Sequence, residues 1–207
     1  MQGRFLAIAG MSCLLFSRCC LAGGGPLGID HRWNYDNSGI WNRSVQNDLA
    51  YGLVAAEVIG ALYEGGDSRL GKTFWTSIDS SAAGAVSSLV LKEAFSRVRP
   101  TETDNPNQWF KGHGNQSFPS GEVTLVTSVI TPFVLEYGRD HPAVYALELL
   151  PAYDAIARMK SRAHWQTDVL AGFALGTAVG VLAHSREHPF LLSVLPDGFA
   201  VGFKKRF

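Results

Sequence analysis

Lys92 and Arg99, seven residues apart with Pro100 directly after, open a spaced set of groups suited to holding an anion. Phe118–Pro119–Ser120–Gly121 follows, then Arg158, with His164 six residues on and Asp168 four beyond that. Three cations, a Pro-Ser-Gly turn and a His/Asp pair are what covalent phosphate transfer requires: charge to hold oxygens, a nucleophile, and a partner to orient it. At about 3.6 residues per turn the seven-residue spacing puts Lys92 and Arg99 on one helical face, roughly 10 Å apart along the axis. Pro100 disfavours helical backbone at the residue before it, so the helix is expected to end at Arg99, facing a loop.

Ser120 and Gly121 stand just before the apolar run 123–135, which reads as a helix N-terminus with Ser120 as the cap and Gly121 allowing close backbone approach. Free N–H groups and the positive end of the helix dipole would make this an anion site. Six residues turn a helix by about 240°, so Arg158 and His164 can meet one phosphate only if the chain turns between them, around 160–163. His164 and Asp168 share a face, and Asp168 could accept from one ring nitrogen and leave the other nucleophilic. Taken singly, each piece has an ordinary structural reading as a solvated face, a plain cap or a local hydrogen bond. Their ordered combination points to chemistry.

The set resembles the type 2 phosphatidic acid phosphatase superfamily, which also holds bacterial acid phosphatases and vanadium haloperoxidases. That family's pattern is Lys-x6-Arg-Pro, then Pro-Ser-Gly-His, then Ser-Arg-x5-His-x3-Asp. Lys92, Arg99 and Pro100 match the first element; Arg158, His164 and Asp168 match the third, with Ala157 in place of the serine. In the middle element Pro119, Ser120 and Gly121 match, but Glu122 stands where the family has its first histidine. The resemblance implies a compact all-α bundle and a two-step hydrolysis. His164 would attack phosphorus to give a phosphohistidine, oriented by Asp168, and water would then release phosphate. Lys92, Arg99, Arg158 and the amides near Ser120 and Gly121 would hold the oxygens, so no metal and no cofactor is implied.

Glu122 leaves two readings open. As a general acid for the departing alcohol it needs a pKa raised toward neutrality, by burial or by the charge of a bound phosphate. As a first-turn carboxylate it would merely complement the helix dipole, with activity altered or lost. His113, in the loop Lys111–Gly112–His113–Gly114, is a candidate accessory acid or a surface histidine.

The elements that must position these groups are helical. Apolar stretches of helix length run over 49–63, 81–95, 123–137, 144–156 and 169–183, with stops at Gly65–Gly66–Asp67 and Tyr137–Gly138. The polar, aromatic segment 30–41 could wrap over the core. The long loop 101–118 is expected to border the site, with Trp109 and Phe110 either touching a lipid chain or pinning the loop. Gly172, Gly176 and Gly180 form a small-residue face read as close packing against another helix of the same core. Each apolar run is shorter than the roughly 20 residues of a span, which favours a soluble or peripherally membrane-associated bundle.

Residues 1–22 read as a signal peptide: Arg4, an apolar run 5–16, and Cys20–Leu21–Ala22 before the cleavage point. All three cysteines fall inside it, so no disulfide is expected in the remainder and the destination is a periplasm or cell envelope. Residues 23–187 form the expected helical domain and 188–207 a C-terminal hairpin appendage. A formal net charge of zero and the absence of a basic run argue against nucleic acid. The leading expectation is an exported, metal-independent phosphatase for phosphate monoesters, pyrophosphates or lipid phosphates. The alternative is a non-catalytic phosphate- or phospholipid-binding protein. A vanadium haloperoxidase fits less well, because its acid–base histidine is replaced by Glu122.

Overall fold

Asn42 accepts a hydrogen bond from the Ser44 amide and starts helix α1 (Arg43–Glu64), which ends at Gly65 with the positive φ of 70° that glycine adopts without cost. Ser68 caps α2 (Arg69–Phe95) by accepting from the Gly71 amide, and Ser96 in left-handed conformation ends it. Then come α3 (Gly121–Tyr137), a 3-10 stretch (Pro142–Glu148), α4 (Leu149–Lys160) and α5 (Gln166–His184). These are drawn from a computed structural model that describes residues 23–186, 192–195 and 198–201. The expected signal peptide lies outside the described residues.

The fold is an all-α bundle, and the stops at Gly65 and Gly138 fall where the sequence puts them. Several helix limits differ. α2 begins twelve residues before the apolar run, because its buried face is Gly71, Thr73, Ser77, Asp79, Ser80, Ser81, Gly84 and Ser88, which carries no hydrophobic signal. It also ends at Phe95, so Arg99 lies beyond the helix instead of on its face. The run 144–156 divides into the 3-10 stretch and α4. At the C-terminus Leu192–Leu195 and Gly198–Val201 pair antiparallel. A lone pair of four-residue strands is marginal by itself, and the fold rests on the helices without it; the expected hairpin appendage is not established as part of it.

α3 and α5 make the closest pairing. A Cβ on Gly176 would come within 2.6 Å of Thr127 Cβ and 2.7 Å of the Thr124 carbonyl oxygen, and one on Gly180 within 2.5 Å of Thr131 Cβ. The small-residue face therefore packs within the core, as its spacing suggests. On α1 and α2 burial is inverted relative to an ordinary water-soluble bundle. α1 buries Gln46, Ala50, Glu57 and Ala61 while exposing Tyr51, Ile59 and Leu62; α2 exposes Val86, Leu89 and Val90. Glu57 sits between α1 and α2, accepting from the hydroxyls of Ser77 and Ser81.

The helix ends alternate so that the start of α1, the end of α2, the start of α3, the end of α4 and the start of α5 meet at one end of the bundle. Every motif residue lies there.

Candidate active site

Arg43, Lys92, Arg99 and Arg158 line one cavity of about 310 Å³ together with Gly121, Glu122 and His164. Each cation arrives from a different segment: Arg43 opens α1, Lys92 lies in the last turn of α2, Arg158 in the last turn of α4. Arg99 follows α2 in chain without regular structure and donates to the Gln116 carbonyl. Lys92 Nζ donates to the carbonyls of Gln116 (2.8 Å) and Pro119 (2.7 Å), which anchors it and keeps one N–H free. Burial, then the charge of Arg99, lowers its pKa to about 8. Burial likewise lowers Arg158 to about 10, against the attraction of Glu122.

The chain does turn between Arg158 and His164: Arg162 is left-handed with φ 54°, and the Ala163 and His164 amides fold back onto the Arg158 carbonyl. His164 is buried, and its Nδ1 lies 2.7 Å from the Ser117 carbonyl, an acceptor only. Nδ1 therefore carries the proton and Nε2 keeps its lone pair. Burial, reinforced by Arg158, Lys92 and Arg99, holds the imidazole pKa well below its ordinary value, so it is neutral near pH 7.

Asp168 works differently from the sequence expectation. Its Oδ2 is 3.8 Å from His164 Nδ1, too far for a hydrogen bond. It accepts instead from Ser117 Oγ at 2.5 Å and the Trp165 amide at 2.8 Å, while Oδ1 accepts from Arg97 at 2.5 Å. Asp168 thus fixes Ser117, whose carbonyl fixes His164. Arg97, fully buried, also donates to Asp30 Oδ2, and Asp30 in turn accepts from the Thr167 amide and hydroxyl. The segment before α1 is in this way tied to the start of α5.

Three further residues take these places. The Ser120 hydroxyl makes no cap bond and has no hydrogen-bond partner, while its amide donates to the Asp168 carbonyl and is not offered to a ligand; Gly121 alone of the pair lines the cavity. His113 is exposed and pairs with Glu93 outside the cavity. Of its two readings Glu122 takes the ionised one here. Burial raises its pKa, but both Nη groups of Arg43 donate to its carboxylate and Arg158 Nη1 lies 3.0 Å from Oε2, leaving the net shift downward. Gln46, fully buried, accepts from both arginines through Oε1, at 3.3 Å from Arg43 and 3.0 Å from Arg158.

Arg43, Gln46, Arg97, Asp30 and Ser117 were not singled out from sequence. Arg97 sits inside the Lys92–Arg99 interval and was the one with a visible signal. Beside the site, Phe95, Trp109, Phe110 and Phe118 join Leu170 and Ala174 of α5 around an apolar cavity of about 600 Å³. Phe118 precedes Pro119, so the two cavities flank one loop.

A family model described as the PAP2 superfamily matches residues 75–189. Lipid A 1-phosphatase of Porphyromonas gingivalis is 33% identical over 94 residues, 45% of this chain and 19% of that protein. Lipid A 1-phosphatase of Rhizobium johnstonii is 30% identical over 117 residues, 53% of this chain and 47% of that protein. The chain spans about half or less of the length of the curated relatives it matches. Among solved structures, LpxE of Aquifex aeolicus superposes with a TM-score of 0.51 at 18% identity, covering 69% of this chain and 85% of that one. The first transmembrane PAP2 type phosphatidylglycerolphosphate phosphatase from Bacillus subtilis gives 0.54 at 21% identity, covering 70% and 76%. At these identities the two structures show a shared fold.

Proposed function

The chain belongs to the PAP2 superfamily, and from that premise we propose that it is a phosphatase acting on lipid phosphates through a phosphohistidine on His164. The observation that carries this reading is the neutral His164, with Nδ1 held by the Ser117 carbonyl and Nε2 free, in a cavity lined by four cations. The Nε2 lone pair attacks phosphorus, the P–N bond forms as the P–O ester bond breaks, and the leaving oxygen takes a proton. Water then attacks phosphorus, and the nitrogen leaves as neutral imidazole. Arg99, Arg158 and Lys92 hold the non-bridging oxygens as charge redistributes, which is most of what phosphoryl transfer asks of a protein. In this reading the route is metal-independent, because cationic side chains supply the positive charge. With Glu122 ionised, the Lys92 ammonium is the proton source placed best in the cavity.

A lipid as the carrier of the phosphate is supported by the adjoining apolar cavity, by the apolar faces of α1 and α2, and by the lipid A 1-phosphatases among the relatives. α5 is also long and apolar enough to cross a membrane by length and composition. We take residues 1–22 as an export signal and 23–187 as the catalytic domain within the same proposal.

The test is single-turnover labelling of the full chain with phosphate-labelled phosphatidic acid, lipid A and an aryl phosphate, with His164→Ala alongside. Trapped acid-labile phosphate on the wild type, lost with His164→Ala, is the expected result. A second reading, phosphate binding without turnover, is favoured by the ionised Glu122 at the position of an acid. Reversible binding with no covalent label would establish it instead.

A further inference from the structure

Glu122 is ionised in a cavity whose proposed ligand is also an anion, and the two need the same partners. Its carboxylate is the planar, bidentate acceptor that guanidinium groups prefer, offered as a pair of oxygens much as a phosphate offers its own. Arg43 engages both oxygens, Arg158 the second, and the buried Gln46 holds both guanidinium groups in line. Four cations around one small cavity repel one another when no anion is present, and Glu122 relieves that repulsion. Arg158 keeps a buried Nε with no hydrogen-bond partner, so this arginine still has a donor unused while Glu122 is in place.

Resting on the phosphate-site reading above, we propose that Glu122 is a built-in competitor for that site: its carboxylate occupies Arg43 and Arg158 in the empty state, and an incoming phosphate displaces it and takes Arg43 as a fourth cation. The consequence is selectivity. Weak anions meet a site that is already filled, and only a dianion that draws on Arg43, Arg158, Arg99 and Lys92 together opens the clasp. A carboxylate that merely braced Arg158 would behave in the opposite way, since its removal would loosen a phosphate ligand.

Binding of inorganic phosphate and of orthovanadate to the full chain, measured by calorimetry at fixed salt, tests this without requiring turnover. Glu122→Gln should bind both anions at least about tenfold more tightly than wild type, and Glu122→Ala should agree if the amide disturbs packing. Arg43→Gln made in the Glu122→Gln background should then lose about tenfold, because Arg43 has become a phosphate ligand. Glu122→Gln and Glu122→Ala that bind no better than wild type, or an Arg43→Gln change without effect in that background, would overturn the clasp. Wild-type binding that is lost with Arg99→Gln keeps the phosphate-site reading intact in that event; absence of binding by every variant removes both.

Discussion

Lys92 is the site cation whose charge is closest to changing near neutral pH, since burial and then Arg99 bring it to about 8. Its ammonium is lost as pH rises through that value, so kcat/KM for a phosphate ester should fall on the alkaline side, the limb that reports the free enzyme. Lys92→Arg should remove that limb and lower kcat/KM at every pH, because a guanidinium stays charged yet gives up no proton to the leaving oxygen; an unchanged alkaline limb would exclude Lys92 as its source. A bound phosphate dianion favours the ammonium, so kcat should hold to higher pH than kcat/KM. The motif residues Lys92, Arg99, Arg158 and His164 were legible because each is spaced along a short stretch of chain. Arg43 was not, since Glu122 is 79 positions away, and neither was Gln46, 112 from Arg158. Nothing in a local pattern distinguishes a glutamate that will be clamped by two arginines from one that will be left to act as an acid.

Helix α5 packs most extensively on α3, and Gly172, Gly176 and Gly180 set that contact. Gly176→Ala should destabilise the fold by about 1–3 kcal/mol, the usual cost of overpacking, since the new methyl meets Thr127 and the Thr124 carbonyl. It should lower phosphatase activity beyond the stability loss, because Asp168 and the Ser120 amide join across the same seam. Thermal melting and kcat measured together would check this, and wild-type values of both would show that the helices can part without cost. The seam was readable from glycine spacing alone. The early start of α2 was not: a helix face of Ser, Thr, Gly and Asp looks like a loop until its partners, such as Glu57 on α1, are known. The end of α2 at Ser96 is set by a left-handed residue four positions before Pro100, a conformation that serine identity does not announce.

Among the described residues many polar side chains lie between helices and many large apolar ones lie outside, most clearly on α1 and α2, an arrangement that suits lipid. The protein should therefore co-sediment with phospholipid vesicles and stay bound when salt is raised, since apolar contact is not screened. Ile59→Glu with Leu89→Glu should weaken that association while sparing hydrolysis of a soluble aryl phosphate; a wild type recovered in the supernatant would refute lipid contact. Composition conceals this property: a mean hydropathy of +0.06 averages the buried serines and exposed leucines without recording which is which. The alternation of helix ends has its own consequence. The turns Gly65–Ser68 and Tyr137–His141 lie at the far end of the bundle, away from all four site cations. Those two turns are held to each other by Arg69, which reaches Glu136 and Asp140, so a residue inserted there should disturb that tie and leave the cavity alone, while a single residue added between Ser117 and Glu122 would shift the support of His164 and the lining of the cavity together.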